Sequence, residues 1–135
     1  MNGADEQAEQ DLLTVVLNGE PQLEYDRNKP LPDRQKAYLD RMDRQMDTGI
    51  VLAGQSVERP DSLQRAQFVS IQLIEALQRG DEALVVASCA YLADKLPDLK
   101  QVRSKLVSGG FSLELVFDKP HVKEQTVNFI TRPGQ

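Results

Sequence analysis

The first apolar run, Leu12 to Leu17, is nearly continuous, and its β-branched Thr14, Val15 and Val16 favour an extended backbone. Asn18-Gly19 follows it, the dipeptide that best tolerates positive φ at both central positions of a tight turn, and Gln22 to Tyr25 lies beyond. The pattern predicts an N-terminal β-hairpin. The competing reading is a helix from Ala4 into Leu17 with Gly19 as its stop. Asp26 to Pro32 reads as loop, because its two prolines fit neither a helix nor a strand ladder.

The period then changes from two to 3.6. Tyr38, Leu39, Met42 and Met46 predict a helix capped by Asp33 and ended by Gly49. Ile50 to Arg59 is a connection, with a short extended piece at Ile50 to Leu52. Pro60-Asp61 starts a second helix, since Gln64 stands three residues after Asp61 in capping-box position, and Gly80 stops it. Asp81 caps a third helix at once, so the two form a tight αα-hairpin around Gly80. From Ala83 to Ala93 the third helix has no polar face, which places it at the centre of the fold.

Pro97-Asp98 predicts a fourth helix over 98–108 with a Leu99, Val102, Leu106 stripe, ended by Gly109-Gly110. Phe111, Leu113, Leu115 and Phe117 alternate with Ser112, Glu114, Val116 and Asp118, the period of a half-buried strand. A turn at Lys119 to Lys123 and a return at Glu124 to Thr131 complete a C-terminal hairpin over 111–131. Segregated helices and hairpins give an α+β fold of about four helices packed on one face of a sheet, with a central buried αα-hairpin. Whether the two hairpins share one antiparallel sheet is left open. Residues 12–131 are expected to be one domain, between an acidic disordered tail at 1–11 and a frayed end at 132–135.

Composition agrees with a folded domain: 135 residues, 40% hydrophobic, suffice for a core without disulfides, and one Cys excludes an intrachain disulfide. The net charge of -5 is unevenly spread, because Asp5, Glu6, Glu9 and Asp11 carry four of its units. The rest is nearly neutral. No run of 18 apolar residues suggests a membrane span, the start lacks the basic and apolar regions of a secretory signal, and a cytoplasmic protein is expected.

Candidate chemistry is sparse. Cys89 sits among Ala87, Ala90 and Leu92, as a buried inert thiol does, and His121, the only histidine, has no second histidine for a metal or a relay. Asp40, Asp43 and Asp47 share a helix face that could offer oxygens to a divalent cation, but Lys36 and Arg44 stand four residues from Asp40 and suit a self-neutralised solvent face. No phosphate loop, nucleophile elbow or HExxH motif occurs, so no catalytic residue, cofactor or metal is assigned.

The second helix carries one oddity. Phe68 and Ile71 lie opposite its apolar face, among Gln64, Gln67, Gln72 and Glu75. Covering by the first helix or a hairpin of the same chain accounts for them. The functional account is a partner or subunit interface formed by Phe68, Ile71, Gln64 and Glu75.

Two function classes follow. The preferred one is a small protein acting through protein contacts, as an adaptor, regulator or accessory subunit, with self-association as one form. The alternative is a winged-helix regulator, in which Lys100, Gln101, Ser104 and Lys105 of the fourth helix face the groove of the nucleic acid while Lys119, His121 and Lys123 of the wing meet phosphates. Seven bases and five acids over 94–135 make a poor basic footprint and disfavour nucleic acid.

Overall fold

Residues 11–121 are described by the computed structural model, which opens with a hairpin of β1 (Leu12–Leu17) and β2 (Glu20–Asp26). Asn18 at φ 53° and Gly19 at φ 82° form its turn, the backbone for which the dipeptide is suited. A register shift at Val15/Val16 sets Pro21 opposite Val16. The proline has no N–H to donate, and β2 is an edge strand where none is required.

Three helices follow: α1 (Asp33–Asp47), α2 (Ser62–Arg79) and α3 (Glu82–Lys95). Asp33 is the first residue of α1 and Pro32 occupies the cap position without a side-chain bond, so Asp33 does not cap the helix as expected. Between α1 and α2 lies a small antiparallel hairpin, β3 (Ile50–Leu52) and β4 (Gln55–Val57), where the sequence suggested a connection with one extended piece.

The α2 boundaries follow the sequence closely. Gln64 N–H donates to Asp61 Oδ1 at 2.8 Å and Asp61 N–H donates to Gln64 Oε1 at 3.0 Å, so the capping box is closed. At the other end Gly80 adopts φ 77°, with Asp81 N–H on the Ala76 carbonyl at 2.9 Å. Asp81 Oδ1 then accepts from Leu84 N–H at 3.2 Å and caps α3.

The expected fourth helix over 98–108 is instead a strand, β5 (Gln101–Val107), which pairs antiparallel with β6 (Gly110–Val116). The described helices number three. The physical reason lies in β1, whose residues Leu13 to Val16 are buried on both faces, so the strand is interior and its second edge must be paired. Thr14 N–H donates to the Lys100 carbonyl and Asn18 N–H to the Ser104 carbonyl, and β1 and β5 run parallel. The sheet is therefore mixed, in the order β2-β1-β5-β6. Residues 111–116 form a strand as their alternation suggested, but their described partner is β5; the expected return strand at 124–131, the tail at 1–10 and the end at 132–135 lie outside the described residues.

One sheet face holds Leu13, Val15 and Val102, with Leu23, Tyr25, Leu113 and Leu115 around them, and packs on the helices. Val69, Leu73 and Ile74 of α2 and Cys89 and Leu92 of α3 complete that core. The opposite face presents Gln101, Arg103 and Glu114, and the chain after β6 turns back over it, where Gln101 Nε2 donates to the Lys119 carbonyl at 3.0 Å.

Candidate interaction surface

A polar cluster fixes α1 against both other helices. Arg65 of α2 donates through Nη1 to Asp43 Oδ1 at 3.1 Å and through Nη2 to Asp47 Oδ1 at 2.6 Å, while its Nε meets the Pro60 carbonyl at 3.1 Å. From α3, Tyr91 donates its hydroxyl to the same Asp43 oxygen, and Lys95 Nζ lies 3.5 Å from Asp43 Oδ2 and 3.7 Å from Asp40 Oδ1. Asp40, Asp43 and Asp47 thus pair across helices, where the sequence suggested pairs four apart within one helix.

The charges respond to this setting. Burial alone would raise the Asp43 carboxyl, but hydrogen bonds from Tyr91 and Arg65, with the nearby Lys95 charge, bring it below its ordinary value. The Asp47 hydrogen bond does most to raise the Arg65 guanidinium, against an opposing effect of burial. Burial, reinforced by the bond to Asp43, raises Tyr91. Arg65, Tyr91 and Lys95 all converge on Asp43 from the other two helices, which suits a clasp between helices better than an open ligand site.

With α1 held at its Asp43 end, a groove of about 580 Å³ lies between its first half and α3. Arg34, Gln35, Tyr38 and Arg41 form one wall, and Ala83, Leu84, Val86 and Ala87 the other. Val86 is 52% exposed and Tyr38 39% exposed. The Arg41 guanidinium lies 5.3 Å from the centre of the Tyr38 ring and holds it at the lip. The third helix is therefore not wholly buried. Its sheet-facing side, with Val85, Cys89 and Leu92, enters the core, while its Ala83-Val86-Ala87 side is open.

The sequence-derived candidates lie elsewhere. Phe68 is half-buried and packs on the core, and it shares a cleft with Ile50, Val51 and Val57 of the β3-β4 hairpin. Ile71 is half-buried as well, Gln64 is used in the capping box, and Glu75 is exposed. For Phe68, covering by a hairpin of the same chain is what the structure contains.

The nucleic-acid set does not form a helical reading face. Gln101 and Ser104 are each 3% exposed, and Ser104 Oγ donates to the Ser112 carbonyl at 2.8 Å. Lys100 uses its backbone to join β1 and β6, and Lys105 and Lys119 are exposed on a strand and a loop. Lys123 lies outside the described residues. A recognition helix over 98–108 is corrected to a sheet strand, and the winged-helix reading goes with it.

Cys89 is 1% exposed, and burial pushes its thiol up to about 12, away from thiolate chemistry. His121 is half-buried beside Gln101, Arg103 and Glu114 on the outer sheet face, so the sheet separates it from Cys89. Among the described residues no group of three or more His, Cys, Asp or Glu is placed to hold a metal, and no helix is long and apolar enough to cross a membrane.

The sequence missed the groove, although its trace was present: a helix apolar on all sides has one more face than a sheet and one neighbour can cover. Compared with protein-family models, with curated proteins and with solved structures, the chain matches none.

Proposed function

We propose that the protein acts by docking another polypeptide in the groove between α1 and α3, as an adaptor, regulator or accessory subunit. The observation that supports this is the open apolar strip of Ala83, Val86 and Ala87 facing Tyr38. A helix exposing such a strip to water forgoes about 25 cal/mol for each Å² that a partner could cover. Basic residues at the lip, Arg34 and Arg41, supply the polar rim that surrounds an apolar centre in protein interfaces. The Phe68 side is a poorer choice, since its ring already has neighbours within the chain.

The test is a photo-crosslinking amino acid placed at Val86, with Glu58 as an exposed control position, in the native cell. A discrete adduct from position 86 that Tyr38→Glu abolishes, with none from position 58, is the expected result. Equal adducts from both positions, or none, would remove the proposal.

A further inference from the structure

We infer that the occupant of the groove is an amphipathic helix of another protein, apolar on the side it buries and acidic along the flank that meets α1; this rests on the docking function proposed above. The first support is that both walls are helices. Every residue lining the groove belongs to α1 or α3 except Asp81, the α3 cap. Past the first turn of each wall the backbone groups are bonded within the helix, so no open strand edge is offered to an extended peptide, whose own backbone would be buried without partners. A helix satisfies its backbone internally and brings only side chains. The floor suits one. Ala83, Ala87 and Ala90 recur at spacings of four and three, and small side chains there let a second helix approach closely beside Val86 and Tyr38.

The second support is charge. Arg34, Tyr38 and Arg41 share one side of α1, at spacings of four and three, whereas Asp40, Asp43 and Asp47 lie on the opposite side, where Arg65 and Lys95 engage them. The helix therefore turns a basic side to the groove. Arg34 and Arg41 are exposed, and among the described residues neither is in an ion pair. Asp81, the one acid among the described lining residues, is already held by Arg79 at 3.4 Å and by the Leu84 N–H at 3.2 Å.

An unpaired guanidinium on each side of an exposed tyrosine suits carboxylates on the partner, to which arginine can donate two parallel hydrogen bonds. Arginine and tyrosine are also among the residue types that most often dominate the binding energy of protein interfaces. The two arginines stand about 10 Å apart along α1, so carboxylates seven residues apart on a helix lying beside it meet both. A basic helix would be repelled by the same pair.

A phage-displayed library of helices of about 18 residues tests this, with leucine fixed along one face at the helical period and the flanking positions randomised. Selection on the full chain should enrich Asp and Glu at flanking positions seven apart, and selection on Arg34→Glu/Arg41→Glu should enrich Lys and Arg there instead. A helix selected by the wild type, labelled and followed by fluorescence anisotropy, should bind that variant at least about tenfold more weakly and lose measurable binding to Val86→Asp. All three positions are exposed, and circular dichroism of each variant confirms that it is folded. Helices selected without an acidic preference, or with the same preference on the charge-reversed variant, overturn the inference. So does displacement of the selected helix by an equal concentration of a synthetic peptide of residues 1–10, or crosslinking of position 86 to a second copy, either of which makes this chain the occupant. If no acidic helix is selected while position 86 still crosslinks to a different protein, the acidic helix is excluded and the docking function stands; if neither occurs, both fall.

Discussion

Asp43 joins three helices through one carboxylate, and its surroundings set what its loss should do. Asp43→Ala leaves the Tyr91 hydroxyl and one Arg65 donor without that acceptor, at a cost of about 1–3 kcal/mol in urea unfolding. Because the two side chains share one bond, Tyr91→Phe should matter much less in the Asp43→Ala background than in wild type. The pH dependence has a definite sign. With its carboxyl lowered in the folded state, Asp43 adds stability above the unfolded carboxylate value of about 4, and that increment disappears as pH falls through the folded value. The stability gap between wild type and Asp43→Asn should therefore narrow below about pH 4, and a gap that widens there would refute this role. Cys89 gives a simpler expectation: maleimide should label it in denaturant and not in the native protein, since its thiol is buried and protonated.

Residues 98–108 carry the sharpest contrast at the scale of elements. Leu99, Val102 and Leu106 have helical spacing, yet Val102, Ser104 and Leu106 also alternate as a strand does, and the short segment supports both patterns. What decides between them lies far away in the chain, at the unfilled edge of β1. Lys100→Pro separates the two states experimentally. In the first turn of a helix the substitution is tolerated, whereas here it removes the bond from Lys100 N–H to the Val116 carbonyl, so a loss of about 3 kcal/mol in chemical unfolding is expected. Asn18→Ala should also destabilise, by about 1–2 kcal/mol, since Asn18 holds a positive φ and its Oδ1 accepts from Leu106 N–H at 2.8 Å. The α2-α3 hairpin was legible because its signals are local: each cap is a bond between residues three to five apart. The β5 pairing and the Arg65 to Asp43 clasp were not, because they join residues distant in sequence that only the assembled fold brings together. The groove was half legible, as α3 was evidently too apolar for a surface helix, but periodicity could not say which face its neighbours would leave open.

For the whole molecule, α1 is bound to α2 and α3 at its Asp43 end by charge and hydrogen bonds, and the groove lies beside α3 along the rest of α1. The net charge of -5 says little about it, since the unpaired charges that line it, Arg34 and Arg41, are basic. The most direct measurement is two-dimensional NMR of the labelled protein in a lysate of its native cell, reading the backbone amides one by one. Amides of Tyr38, Arg41, Ala83, Val86 and Ala87 should shift or broaden together as lysate is added, while those of Phe68, Ile71 and β6 stay fixed. Changes centred on Phe68 and Ile71, or spectra that lysate leaves unaltered, would contradict a docking groove between α1 and α3.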